Sequence, residues 1–570
     1  MIRWLAVLLL AAPLTCAAQS IDQFFKDTFE QELRDNPEFA TLTGHHEYDD
    51  RWTDWSKAGR ELRREHLQQR LAMLSRFPEA SLSGQNRLTA DLVRYDFRLR
   101  LESDDVETHL LRVGQLFGFH NRVYTLIDRM PAHTAHDYEN ILARLEKTPE
   151  YVNQNLAILD ESIARGMMQP KIVVDRVLTQ LTTQMNQDAE HTLLLAAFRR
   201  FPSNMPVAEQ QRLHARAVAA YQNEFLPSWR KLHDYLETTY APKERPSDSL
   251  SSIPGGRAAY AILIRRMTTT TLSAEEIHSL GEKEVARIEA EMQKLVADTG
   301  FQGTLAEFQQ KMKNDPQQHF HSKEEMLVFC RNIARIIEPE LPNQFRHIPA
   351  LLYGVRAIPA DREASEATNA QAPSPDLSTP GWFNLNTYEP EKQVKYDKES
   401  LVLHEAVPGH VFQISLAHAL GDLPDIRKFY MNSAYTEGWA LYAESLGTQL
   451  GVYKDPYSRY GQLASERFRA VRLVVDTGIH ELGWTRQQAI DYFAAHAPEE
   501  SVLEIDRYIS MPAQALSYKM GELRIRQLRS EAEQKLGPKF DVRDFHDMVL
   551  RNGTLPLDLL QREVETYLGS

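Results

Sequence analysis

The sequence predicts a mostly helical, all-α protein, and three observations carry that prediction. Apolar residues recur at helical spacing behind capping signals. The stretch from Ile21 to about Tyr240 is rich in Leu, Glu, Arg and Gln and has few Gly–Pro breaks. The period-two alternation of half-buried strands is scarce.

In chain order, the first segment reads as an export signal over residues 1–18. Arg3 supplies the positive start, Trp4 to Ala12 an apolar stretch, and Thr15 to Ala18 a small-residue cleavage zone. The apolar run is too short to span a bilayer as a mature helix. Cleavage after Ala17 or Ala18 leaves a soluble periplasmic or secreted product. Lipid attachment at Cys16 is the competing expectation, but Leu14-Thr15 lacks the small residue such processing wants immediately upstream.

Residues 19–240 are expected to form an N-terminal helical half. The Pro/Ser/Gly-rich string APKERPSDSLSSIPGG, Ala241 to Gly256, reads as a linker. Residues 257–570 then form a C-terminal helical half, with a deep substrate cleft between the two. Within that second half, Ser273 and Glu276 make a capping box. Ile277, Leu280, Val285, Ile288, Met292 and Leu295 follow at helical spacing, and Gly300 is the stop. Thr485 and Gln488 repeat the box. Ala364 to Pro380 has no periodicity and is expected to be a long loop on the cleft wall.

The composition excludes some roles. Seventy-nine acidic against 65 basic residues give a net charge of −14, which repels phosphate backbones and argues against a nucleic-acid partner. Only Cys16 and Cys330 are present, so the processed chain has no intrachain disulfide. Cys330 lies in the apolar stretch Met326 to Ile333 and is expected to be a buried small hydrophobe.

The chemistry is concentrated after residue 400. Zinc hydrolases need three protein ligands, an open position for water, and a carboxylate to take the water's proton. The usual solution is His-Glu-x-x-His on one helix. Here the string is His404-Glu-Ala-Val-Pro-Gly-His410, two residues longer. A six-residue step on an ideal helix turns through about 600° and leaves the second imidazole roughly 120° from the first. Both can reach one zinc ion only if the helix deforms between them. Pro408 and Gly409 permit a kink or bulge there. Glu405, beside the first histidine, is the expected base. Further on, Glu437 and Glu444 lie seven residues apart, almost on one helical face. One of them can ligate the metal while the other holds an imidazole through its free N–H.

HEAVPGH, then EGWALYAESLG, then RLVVDTGIHELGW from Arg472 to Trp484, then RYISMPAQALSYKMGE from Arg507 to Glu522, run in order along the chain. With PEFATLTG and PGWFNLNT upstream, this set resembles the bacterial domain-of-unknown-function 885 family. Its members resemble helical zinc peptidases of the thimet-oligopeptidase and carboxypeptidase Taq type. The resemblance implies that His404, His410 and Glu437 hold one zinc ion and that Glu405 is the base. It also singles out Tyr518 as the hydroxyl that donates to the oxyanion formed in amide hydrolysis, ahead of Tyr508 and His480. One departure stands out: a tyrosine pair expected about ten residues before PGWFNLNT is replaced by the Ala/Pro/Ser-rich loop.

Asp476 and His480, four apart, suit either a supporting Asp–His pair or a plain surface pair. Arg472, Arg507 or Lys519 could hold a substrate's terminal carboxylate, since guanidinium forks match it. The function expected is zinc-dependent cleavage of short peptides. The alternatives are hydrolysis of a non-peptide or isopeptide amide, and a catalytically silent peptide-binding protein.

Overall fold

A computed structural model describes residues 19–569 except 351, 361–362, 364–365, 372, 374–378 and 422. The expected export signal, Cys16 included, lies outside the described residues. The chain is mostly α-helical, as the periodicity predicts. Ser273 accepts from the Glu276 amide, and Glu276 returns the bond to the Ser273 amide at 2.8 Å. The helix Ala274–Asp298 then runs until Gly300, whose φ of +77° ends it. Thr485 and Gln488 close the second expected box. Between the two regions of longer helices, residues 241–256 form short turns at Ala241–Lys243 and Leu250–Ser252 before a helix resumes at Gly256.

The sequence reading missed one small sheet. Strands β1 (Tyr353–Ala357), β2 (Asn369–Gln371) and β3 (Gly381–Leu385) pair in the order β1-β3-β2. β1 runs parallel to β3 with Val355 opposite Phe383, and β2 runs antiparallel to β3 with Asn369 opposite Asn384. The expected loop 364–380 therefore contributes three residues to a strand. Strands this short carry too little alternation to register as a period. Tertiary packing fixes them instead: Phe383, Leu385 and Val355 are buried in an apolar cluster shared with the helix Lys323–Ile337. Arg331 of that helix donates to the Val355 carbonyl at 3.1 Å. Cys330 of the same helix is fully buried, and burial pushes its thiol up to about 12.

This apolar cluster is the seat of the histidine motif and of the Glu437–Glu444 motif. It contains Val402, Leu403, Ala406, Val407 and Phe412 around the two histidines, and Tyr435, Trp439 and Tyr442 from the helix Ser433–Glu444. Asn432 caps that helix by accepting from the Tyr435 amide at 3.1 Å. The helix Ser517–Leu536 packs along it at very close range, because Gly438 and Gly521 face each other. A Cβ on Gly521 would strike the Ala434 carbonyl, and one on Gly438 would strike the Gly521 backbone. Two absent side chains thus set the separation of the helices that carry Glu437 and Tyr518. Among the described residues, no helix is long and apolar enough to cross a membrane.

Candidate metal centre

The histidine motif is divided between two helices. Lys398–Glu405 ends one residue after His404, and His410 begins the next, His410–His418. The expected kink is therefore a full break, with a cis Val407–Pro408 peptide inside it. Gly409 is required by space: a Cβ there would collide with the His404 and Leu403 carbonyls. Trp439, fully buried on the Glu437 helix, pins the break by donating from Nε1 to the Pro408 carbonyl at 2.8 Å. The outcome is a His404–His410 ring separation of 4.9 Å at 89°.

Glu437 closes the group. Its Oε2 lies 3.6 Å from His404 Nε2 and 3.3 Å from His410 Nε2. One ligand atom from each of the three residues falls within 4.8 Å of the others. Glu444, two turns further along the same helix, accepts from His404 Nδ1 at 2.8 Å and is almost fully buried. That bond places a proton on Nδ1 and turns Nε2 toward Glu437 and His410. Two imidazole nitrogens and a carboxylate oxygen converging in this way make a donor set suited to zinc.

The electrostatics agree with the geometry. Burial works against a charged His404, but hydrogen bonds donated to Glu437 and Glu444 outweigh it and raise the imidazole to about 9. Burial likewise disfavours the Glu437 carboxylate, yet its bonds to both histidines hold it well below the ordinary range. The pocket thus stabilises positive charge between these groups, which a proton or a metal cation can supply. Glu405 behaves differently. Burial dominates and raises its carboxyl, while the neighbouring His404 and His410 charges pull the other way. Yet Glu405 is only half-buried and 21% of the Glu437 side chain stays accessible, so both line a recess that water can enter.

Of the tyrosines and histidine considered as oxyanion donors, Tyr518 stands closest to the ligands. Its ring lies 6.2 Å from that of His404 at 18°, and its hydroxyl is 3.4 Å from Arg507 Nη2. Tyr508 is fully buried with its hydroxyl engaged by Arg472 Nε at 3.0 Å. His480 is also fully buried, accepting from the Leu250 amide and bonding the Tyr508 carbonyl at 2.9 Å. Asp476 and His480 form neither kind of pair expected of them. Asp476 accepts from Tyr260 at 2.6 Å and from the Ala513 amide at 3.0 Å. Both residues face the core on the helix Pro456–His480, where tertiary contacts overrode the i,i+4 spacing.

Lys519 is withdrawn from any substrate role, being fully buried against Glu284, Glu466 and Glu522 at 2.9–3.1 Å. Arg472 and Arg507 remain beside Tyr518. Arg469 was not singled out from sequence, because nothing in the local string separates it from its neighbour Arg467, which is buried against Glu499 at 2.8 Å. A second group of possible ligands, His233, Asp234 and Glu237, lies on a largely exposed helical face. The cavity of about 890 Å³ walled by Trp55, Arg60, Arg63, Arg64, Arg112 and Arg266 is lined by none of the residues of the histidine–glutamate centre.

Similar folds exist among solved structures. A protein from Colwellia psychrerythraea, provisionally named a lipoprotein, is 25% identical, covers 96% of this chain and 99% of its own, and superposes with a TM-score of 0.90. A protein of unknown function from Shewanella oneidensis, also provisionally named a lipoprotein, gives 18% identity, the same coverage and a TM-score of 0.74. A provisionally named oligoendopeptidase F from Bacillus anthracis str. Ames is 13% identical over 89% of this chain and 96% of its own; its TM-score of 0.31 carries no argument. No curated protein matches the sequence. The model of one family matches residues 37–564, nearly the whole of the helical structure that builds the histidine–glutamate centre, and the chain accordingly belongs to the bacterial proteins of unknown function termed DUF885.

Proposed function

We propose that the chain is a zinc-dependent peptidase acting on short peptides, with His404, His410 and Glu437 as the residues that would hold one zinc ion. The observation that carries this reading is the convergence of those three donors beside Glu405, a half-buried carboxyl that water can reach. Zinc, when bound in such a site, polarises a carbonyl and lowers the pKa of water to near neutrality. The chain's own residues do the rest. Glu405 takes a proton from the attacking water and returns it to the leaving amine, and the burial that raises its carboxyl favours holding the proton between the two transfers. Tyr518 donates its hydroxyl to the oxygen on which negative charge develops. Glu444 fixes the tautomer and angle of His404. The recess would open between the helical halves 19–240 and 257–570.

Incubation of a mixed peptide pool with the zinc-loaded protein, read by mass spectrometry, tests the reading. New fragments are expected, absent after chelation and restored by added zinc. An intact pool at full zinc occupancy removes the peptidase reading. Cleavage confined to non-peptide or isopeptide amides in a parallel substrate set redirects it.

Glu444 gives a prediction of its own. Its Oε1 accepts the bond that orients His404 while no oxygen of it enters the donor group. In Glu444→Gln the side chain can still bond, but the negative charge behind the imidazole is gone. Zinc affinity should fall by about 10- to 100-fold, the scale for loss of a supporting partner. Competition against a chelator of known affinity measures it.

The relatives provisionally named lipoproteins fit an exported protein, the localisation we also propose here. Mass spectrometry of the amino terminus from the native host distinguishes a chain beginning near Ala18 from one lipidated at Cys16.

A further inference from the structure

Three guanidiniums lie against the neighbouring rings of Tyr518 and Phe468: Arg472 and Arg507 at Tyr518, and Arg469 with Arg472 at Phe468. Arg472 lies against aromatic rings, its guanidinium carbon 4.6 Å from the centre of Tyr518 and 4.1 Å from that of Phe468. It donates to the Tyr508 hydroxyl and to Glu504 at 2.9 Å, and its Nη1 is buried with no partner. Arg507 donates to Gln514 at 2.7 Å and reaches Glu504 and the Tyr518 hydroxyl only at 3.4 Å. Its Nε is likewise buried and unpartnered, although 23% of the side chain is accessible.

Arg469 is the most telling of the three. It sits one turn before Arg472 on the same helix, and among the described residues its side chain bonds only the Ser465 carbonyl and hydroxyl, at 3.3 and 2.8 Å. Its Nε is a third buried donor without an acceptor. The side chain is half-buried, and its charge is felt by Glu405. Among the described residues, Glu504 is thus the one carboxylate bonded to the trio. Glu500 and Glu405 also feel the charge of the trio without bonding it, and burial pushes the Glu500 carboxyl up to about 7. Deep guanidiniums with spare donors and a single bonded carboxylate are arranged to receive an anion.

We propose that Arg469 and Arg507, backed by Arg472, receive a carboxylate of the substrate, so that the protein selects peptides with a negative charge close to the scissile bond. This deepens the peptidase reading and rests on it for the placement of the scissile bond. Arg472, locked between Phe468, Tyr508 and Glu504, positions the wall. Arg469 and Arg507 determine specificity through forks that match a carboxylate's two oxygens. The carboxylate could be the peptide's own C-terminus or an Asp or Glu side chain, and the two sources separate in one experiment.

Four matched peptides are compared on the zinc-loaded full chain: free and amidated C-terminus, each with Asp or Asn near the scissile position. The wild-type protein is expected to prefer the charged member of one pair by about 10- to 100-fold in kcat/KM, the worth of a charge-assisted bond. Loss on amidation identifies the C-terminal carboxylate, and loss on Asp→Asn a side chain. In Arg469→Gln that ratio should fall toward one, and Arg469→Lys should restore part of it. Zinc content and thermal unfolding exclude a merely misfolded variant. Equal kcat/KM for all four peptides in the wild type overturns the proposal while leaving the peptidase reading intact. If no peptide is cleaved, the peptidase reading falls. Calorimetric binding of the same four peptides to zinc-loaded Glu405→Gln then decides the carboxylate preference, and equal Kd values overturn it.

Discussion

Glu405→Gln should keep its zinc and lose peptide turnover by about 10²- to 10⁴-fold, the share usually carried by a positioned proton-transfer group. Glu437→Gln should lose the zinc and the turnover together. The two carboxylates sit within one recess, so the split tests their placement rather than general damage. Glu437 Oε2 points between both imidazoles, 3.3 and 3.6 Å from their Nε2 atoms, where a neutral amide would be a poor substitute for a charged oxygen. Glu405 follows His404 in the chain but has no hydrogen bond to either histidine, and its carboxyl is raised rather than lowered. A group in that state can accept and release a proton without entering the donor set. Bound zinc by elemental analysis and turnover on one peptide, measured on both purified variants, read the split. If Glu437→Gln retains zinc, the third donor is wrongly assigned and Glu444 becomes the residue to test in that role.

The helical class was legible because helices announce themselves locally. Ser273 with Glu276 and Thr485 with Gln488 are complete signals within four residues, and both form the capping bonds their spacing implies. The sheet was not legible because its strands have three to five residues and are defined by partners up to 28 positions away, Tyr353 against Gly381 for example. The same contrast runs through the site. His404, Glu405 and His410 could be named from one short string, and the seven-residue step from Glu437 to Glu444 put both on one face. Yet Asp476 and His480, at an equally suggestive spacing, turn to opposite partners, Tyr260 and the Ala513 amide against the Leu250 amide and Tyr508 carbonyl. Spacing says which side chains share a face of one helix. What that face meets depends on helices hundreds of residues away. Lys519 shows this most clearly: two positions before Gly521, it points into Glu284 and Glu466 rather than the recess.

Gly409→Ala should strip the metal while leaving most of the fold in place. The four residues between the helix that Glu405 closes and the helix that His410 opens have one role in this site, which is to bring the second imidazole back over the first. That return passes so close to the end of the first helix that a methyl group at 409 would occupy the space of the His404 and Leu403 carbonyls. Backbone at a helix terminus cannot swing aside as a flexible side chain can, so the segment carrying His410 must move instead. Overpacking of this kind costs about 1–3 kcal/mol of stability, which a fold with extensive cores on both sides can absorb. The 3.3 Å approach of His410 to Glu437 cannot absorb it, because metal donors tolerate only a few tenths of an ångström. Zinc affinity should therefore fall by more than the roughly 10- to 100-fold expected for Glu444→Gln. Far-ultraviolet circular dichroism should stay helical, and thermal unfolding should remain cooperative at a lower midpoint. The 2.8 Å bond from Trp439 to the Pro408 carbonyl gives an independent readout, since displacement of the break changes the indole environment and its fluorescence. An alanine variant that binds zinc as tightly as the wild type, with unaltered Trp439 emission, would show that the break does not position His410.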